Sequence, residues 1–276
     1  MYTPLRKIER IQMEHNRPYR RPMRKRRRSL LGRLVTFTVI CLILFFGVSV
    51  FFRVGEIQVE GETRYTAEQV ITAAGIDFGT HLFFVDGEAA RREIQSSLPY
   101  IGHVEIRRRF PNRIVIAVDE TAPLALFRFE SGYLILDRNA KILERLSEAP
   151  MLRLIHLRGL PEPLLPREGE ILALGEAGRE QLRYLQNILG VIAALGIASE
   201  VSLIDMTELH DPEMHYANRF TVRLGPNRNL HHKLGMLVGI VDYMDESETG
   251  IIDLNPERPV FRRDEPPGGS GDVSTP

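Results

Sequence analysis

The sequence predicts an α+β protein: a single N-terminal transmembrane helix, then a small β-α-α-β-β domain, then a second mixed α/β domain. Three observations predict this. Residues 34–52 are nineteen in a row without a charge. Net charge splits the chain into a basic leader and an acidic remainder. Beyond the apolar run, the period of apolar residues switches repeatedly between two and three to four, so strands and helices alternate.

The apolar run would span about 28 Å as a helix, close to the hydrocarbon thickness of a bilayer. A soluble core helix would interrupt it with polar residues. A cleaved signal would be shorter and end at a small-residue site, which "VFFRVGEIQVEG" does not offer. The segment reads as an uncleaved anchor over residues 34–53. Residues 1–33 carry twelve Lys/Arg against Glu9 and Glu14, leaving 24 basic and 34 acidic residues beyond Phe52. Basic residues stay on the cytoplasmic side. The expected arrangement is therefore a single-pass membrane protein, with residues 1–33 as a cytoplasmic tail and residues 53–276 outside. The arginine block also suits anionic lipid heads of the bilayer. With only Tyr2 and Tyr19 as interleaved aromatics, no nucleic acid is expected as a partner. Cys41 is the single cysteine, so no internal disulfide can staple the exterior part.

Residues 54–123 form the first exterior domain. In "VGEIQVEG", Ile57 and Val59 alternate with polar residues, as in a half-buried strand. Thr66 and Gln69 have capping-box spacing before a helix with Ala67, Val70, Ile71 and Ala74 on one face, and Gly75 stops it. Asp86 is an N-cap candidate for a second helix carrying Ala90, Ile94 and Leu98, ended by Pro99. Two strands joined at Pro111–Asn112 follow, with Ile114, Ile116 and Val118 on one face.

The succession I-x-V-x-G (Ile57, Val59, Gly61), "LFFVD" (82–86), "LPYI" (98–101), "RRRFPNRI" (107–114) and V-x-E-x-x-P (Val118, Glu120, Pro123) resembles a POTRA domain. Its order, spacing and place directly after an anchor resemble the FtsQ/DivIB family of bacterial cell division proteins. Thr121 stands where that family often has a basic residue.

Residues 124–263 form the second domain. "LALFRFESGYLILDRNAKILERL" reads as a three-strand meander, with Asn139 available for a left-handed turn position; "GYLILDRNAKIL" resembles the opening of the FtsQ/DivIB β domain. After the proline-rich loop "LPEPLLPREGE", Leu182, Leu185, Leu189 and Ile192 mark a helix, with Gly196 beyond it. "VSLIDM" and "RFTVRLG" read as strands. Leu230, Leu234, Leu237, Val241 and Met244 share one side of a further helix, and "GIIDLN" and "RPVFRR" finish the sheet. The Pro/Gly/Ser-rich residues 264–276 are expected to be a disordered tail.

No catalytic motif is present, and the protein is expected not to be an enzyme and to need no cofactor. His210, His215, His231 and His232 lack the spacing of a helical metal pair and are expected in a loop and a helix start. Glu120, Asp137, Asp205 and Asp242 read as surface or capping carboxylates. Strands at the C-terminal end can instead offer an unpaired edge that accepts another chain's strand. The resemblance implies a divisome scaffold at the division septum, helping control septal peptidoglycan synthesis. Its implied partners are FtsB/DivIC and FtsL-type coiled-coil proteins and other divisome membrane proteins. By position the contacts would be Ile251, Ile252, Leu254, Val260 and Phe261, although these could equally close the domain's own core. Proline at Val260 or Ile252 would then remove a donor that partner capture needs. The alternatives are a membrane-anchored peptidoglycan-processing enzyme and a POTRA-type receptor for exported polypeptides.

Overall fold

A computed structural model describes residues 24–130, 132–255 and 259–263. The expected tail at 264–276, and residues 1–23 of the basic leader, lie outside the described residues. The chain divides into two compact units, Met1–Phe51 and Phe52–Pro276.

The first unit contains α1 (Arg24–Phe51). Its apolar stretch Leu30–Gly47 is long and apolar enough to cross a membrane, and none of it is buried within the protein. Hydroxyls that would be costly in lipid are satisfied inside the helix: Thr36 and Thr38 donate to the carbonyls of Gly32 and Leu34 at 2.9 and 3.0 Å. The helix stops at Phe51, two residues before the expected end of the anchor. Arg53 instead bridges to His81, and its guanidinium donates to the Gly79 carbonyl at 3.0 Å.

The second unit begins with β1 (Glu56–Glu60), α2 (Ala67–Ala74), α3 (Gly87–Ser97), β2 (Ile101–Arg109) and β3 (Arg113–Glu120). The three strands form one sheet in the order β1-β3-β2, with β1 parallel and β2 antiparallel to β3. Local sequence sets the helix limits. The capping box closes in both directions, the Gln69 N–H donating to Thr66 Oγ1 and the Thr66 N–H to Gln69 Oε1 at 3.3 and 2.8 Å. Gly75 ends α2 in the left-handed region at φ 60°. Asp86 caps α3 by accepting the N–H groups of Glu88 and Ala89. Val70, Ala74, Ala90 and Ile94 pack into one core with Ile114, Ile116 and Val118.

The rest of the unit is a nine-stranded sheet. Its strands are β4 (Ala125–Phe129), β5 (Gly132–Leu136), β6 (Ile142–Leu146), β7 (Ile155–Arg158), β8 (Val201–Asp205), β9 (Glu213–Tyr216), β10 (Phe220–Arg223), β11 (Gly250–Asp253) and β12 (Val260–Arg263). They run in the order β12-β11-β10-β9-β8-β7-β4-β5-β6. Helices α4 (Arg179–Leu195) and α5 (Leu230–Val241) supply Leu185, Leu189, Ile192, Leu234 and Leu237 to its main core.

The two faces are covered unequally. Alternate residues such as Ala125, Phe127, Leu134, Leu136 and Ile142 join the core with the helices. Their neighbours Leu126, Ile135 and Leu143 point the other way and pack with Tyr100 of the three-stranded domain and with Leu154. This second contact is tied by polar bonds as well. Lys141 Nζ donates to the Ile101 carbonyl at 2.8 Å, Thr121 Oγ1 to Asp137 Oδ2 at 3.1 Å, and the Tyr100 hydroxyl to Glu144. Burial, reinforced by Glu144, pushes the Tyr100 phenol up to about 12. Burial pulls Lys141 down, with Asp137 opposing.

Several details differ from the sequence reading. Strands β7 and β9 were not expected; each is four residues long and alternates apolar with polar residues, too short a run to stand out. His215 lies in β9 rather than in a loop, and Met244 lies beyond the end of α5. The left-handed residue of the β5–β6 turn is Ala140 at φ 57°, not Asn139. Asp137 organises that turn: its Oδ1 accepts the N–H groups of Asn139 and Lys141 at 2.8 and 2.9 Å. Ala140 is fully buried there. Asp137 itself is fully buried, not a surface carboxylate.

Replacing Asp137 by alanine strands two main-chain donors and a hydroxyl, and should cost about 2–4 kcal/mol. Urea unfolding of the full chain in detergent measures this, with Asp137→Asn losing less.

Candidate partner-binding edge

An open sheet has two edges, and each is a row of main-chain donors and acceptors unless something covers it. Strand β6 is covered. The Ile142 N–H donates to the Glu170 carbonyl and the Gly169 N–H to the Ile142 carbonyl, at 2.9 and 2.8 Å. The Arg145 N–H donates to Glu168 Oε1 at 3.0 Å, so the loop 168–172 occupies that edge. At the opposite end, β12 pairs with β11 alone, and no described residue lies along its outer side.

The packing that holds this edge in place begins at β10. Strand β11 runs parallel to β10 and receives β12 antiparallel, with Ile252 opposite Phe261 and Asp253 opposite Val260. The Arg219 guanidinium lies 4.8 Å over the Phe220 ring and donates to the Asp245 carbonyl at 2.6 Å, fastening the turn that precedes β11. Gly250 opens β11 at φ 156°, where a Cβ would fall 2.2 Å from the Arg262 carbonyl oxygen. Only glycine lets the two chains approach so closely. Phe261 anchors β12 by setting its ring edge-on to Phe220, with centroids 6.1 Å apart. Arg263 pairs with Glu248 at 2.5 Å.

The five residues expected at this site divide by strand alternation. Ile252 and Leu254 are 1% exposed and belong to the core. Phe261 is half-buried on the same face. Ile251 and Val260 point the other way and are 37% and 42% exposed, diagonal neighbours on the face that no helix covers.

Main-chain direction follows from the same alternation. The N–H groups of Gly250 and Leu254 donate to the carbonyls of Arg219, just before β10, and of Arg223, its last residue. Residues 251 and 253 therefore face β12 and meet its residues 262 and 260. This leaves the N–H and C=O of Phe261 and Arg263 directed outward. The sequence could not show which residues hold the open groups, because that phase is set by β10. It also corrects the expectation about proline: the donors of Val260 and Ile252 face inward, so proline there damages the sheet itself.

The four carboxylates considered from the sequence sit on different elements; three are engaged within the fold, and Asp242 is exposed. Glu120 accepts from the Arg64 N–H and from Thr63 Oγ1, and the Arg64 N–H bond in particular holds its carboxyl below the ordinary value near 4.5. Asp205 is partly buried, which opposes ionisation, but Thr207 and Arg158 outweigh this and lower its pKa. Asp137 organises the β5–β6 turn, and Asp242 is the C-cap residue of α5. His231 and His232 lie in the first turn of α5, and His210 in the turn before β9. Among the described residues, no three His, Cys, Asp or Glu side chains come together as metal ligands.

Glu120 contributes stability that is complete above its ordinary value and is lost as pH falls through its lowered folded value. Glu120→Gln should flatten that acid loss, read as the urea midpoint compared between pH 7 and pH 3. At the edge, Ile252→Ala should cost about 2–5 kcal/mol through the cavity it opens. Ile251→Ala should stay within about 0.5 kcal/mol, and the same titration separates the two.

Comparison with known proteins gives a consistent picture. Residues 52–121 match the family model described as "POTRA domain, FtsQ-type". The chain is 23% identical to the cell division protein DivIB of Clostridium botulinum (strain Hall) over 244 residues, 86% of this chain and 93% of that one. It is 29% identical to the cell division protein FtsQ of Syntrophotalea carbinolica over 210 residues, 73% of each chain. Against FtsQ of Corynebacterium glutamicum the identity is 32% over 112 residues, 39% of this chain and 50% of that one.

Proposed function

The chain is a member of the FtsQ/DivIB family of cell division proteins, and from that premise we propose that it is a membrane-anchored, non-catalytic scaffold whose β12 edge captures a strand from a partner in the division machinery. Its role in division comes from its relatives; the mode of binding is our reading of the sheet. One observation carries it: the nine-stranded sheet ends on one side in a covered strand and on the other in β12, along whose outer side no described residue lies.

A docked strand would bond to the outward main-chain groups of Phe261 and Arg263. Those bonds supply affinity without regard to sequence, while side chains beside the edge select the partner. Here Ile251 and Val260 offer an apolar contact, and the exposed Arg262 adds positive charge. The partner that fits is an extended segment with an apolar residue flanked by acidic ones. The family resemblance points to FtsB/DivIC and FtsL-type coiled-coil proteins as its source, with septal wall synthesis as the process controlled. Ile252 and Leu254 serve this site only from within, by holding β11 rigid. The same reading places the basic leader in the cytoplasm, α1 in the membrane and the acidic body outside, as the Lys/Arg bias directs.

The test uses the outward donor. Proline is tolerated on an edge strand where its missing N–H faces solvent. Phe261→Pro should therefore abolish pull-down of the coiled-coil pair, whereas Phe261→Ala, which keeps the N–H and loses the ring, should retain part of it. Ile252→Pro should unfold this end of the sheet. Capture that survives Phe261→Pro rules out strand addition at β12, and photo-crosslinking in growing cells from sites along 250–262 identifies what docks there.

A further inference from the structure

We infer that the body beyond α1 has a second interaction surface, an aromatic foot that seats in the headgroup region of an anionic phospholipid bilayer. The inference rests on the reading that α1 spans the membrane.

Beyond α1, the exposed phenylalanines of the described residues are Phe78, Phe83, Phe84 and Phe110, with exposures of 64%, 56%, 81% and 60%. All four lie on two loops, 76–85 and the β2–β3 turn, and none lies near β12 in the fold's element order. The loops meet at Phe52. Its ring centroid is 5.7 Å from that of Phe83 and 5.6 Å from that of Phe110, and Phe83 and Phe110 are 5.5 Å apart. Phe52 is the residue after Phe51, the last of α1, so one peptide bond, about 3.8 Å between Cα atoms, ties this cluster to the end of the helix.

The loops are held rather than loose. The Gly79 N–H donates to the Val54 carbonyl and the Leu82 N–H to the Phe52 carbonyl, both at 2.8 Å, so the rings stay exposed on a fixed backbone. A contiguous exposed aromatic patch on a water-soluble body marks a surface that something covers. Arginine surrounds this one. Arg53, next to Phe52, and Arg108 and Arg109, at the end of β2 before Phe110, are exposed, with the first two guanidinium groups steadied by the carbonyls of Gly79 and Val85. Of the neighbouring acids, Glu56 is paired with Arg113 and Asp86 caps α3, leaving Asp77 beside Phe78. Aromatic rings with arginine above them suit the boundary between acyl chains and anionic headgroups. Both the covalent tether and the charge select lipid over a soluble protein as the occupant.

The chain has no tryptophan, so single replacements report cleanly. The full chain carrying Phe84→Trp, Phe110→Trp, Phe37→Trp or Tyr243→Trp is reconstituted into phosphatidylcholine vesicles with and without phosphatidylglycerol. Shallow and deep nitroxide-labelled lipids then quench from the membrane side, and iodide quenches from water. Tyr243 is 95% exposed and stands for the solvated body, and Phe37 stands for the span. The shallow lipid label should quench the Phe84→Trp and Phe110→Trp proteins at least twofold more than the Tyr243→Trp protein. Iodide should show the reverse order, and phosphatidylglycerol should strengthen the effect. If the deep label quenches the Phe37→Trp protein but neither loop variant differs from Tyr243→Trp, the foot is wrong and the anchor stands. If the Phe37→Trp protein is not quenched, the anchor fails and the foot with it. Protection from iodide without lipid quenching would show a protein on the patch and overturn the lipid assignment. Equal quenching without phosphatidylglycerol would overturn the role given to the arginines.

Discussion

A sheet has two faces, and the structure depends on how this one covers them. Strands β4, β5 and β6 are apolar on both sides, so they need a layer on each. Helices α4 and α5 cover one side, and Tyr100 of the three-stranded domain covers the other with Leu154. Strands β10 and β11 turn Thr221, Arg223 and Asp253 to the other side, where Ile251 is the one apolar side chain, and no second layer of described residues packs there. The contact between the three-stranded domain and the nine-stranded sheet thus follows from where strands with two apolar faces occur. Buried polar groups fix its register: Lys141 reaches the Ile101 carbonyl, and Asp137 accepts from Thr121. Each would be costly to bury without its partner.

The same unequal covering distinguishes the two ends of the sheet. At the β6 end the edge is sealed by the loop 168–172, and both faces are occupied. At the β12 end no described residue covers one face or the outer row of main-chain groups. Apolar residues there divide by simple alternation, Ile252 and Leu254 inward, Ile251 and Val260 outward. Phe261 joins them, since its ring fixes the strand on Phe220 while its amide points away from the sheet. Elsewhere in the fold the carboxylates of Glu120 and Asp205 are engaged by neighbouring donors.

Local features were largely legible in the sequence. The capping box at Thr66 and Gln69, the Asp86 cap and the Gly75 stop are encoded within a few residues of the bonds they make. Strands β7 and β9 were not legible, because four residues carry too little periodicity, and they become strands only when neighbours on both sides pair with them. The β5–β6 turn misled for a related reason: Asn139 has the better turn chemistry, but the carboxylate of Asp137 decides which residue turns left-handed.

By itself, the sequence determined the charge division, the apolar helix and the alternating elements, since these depend on composition and on periods counted along one segment. The family resemblance was legible too, because it rests on short motifs in order. Tertiary structure alone decided which edge of the sheet stays open, which of five apolar residues reach solvent, and which amides point outward. Those outcomes are set by pairing between segments far apart in the chain. A strand carries its own alternation, but only its neighbours fix the phase.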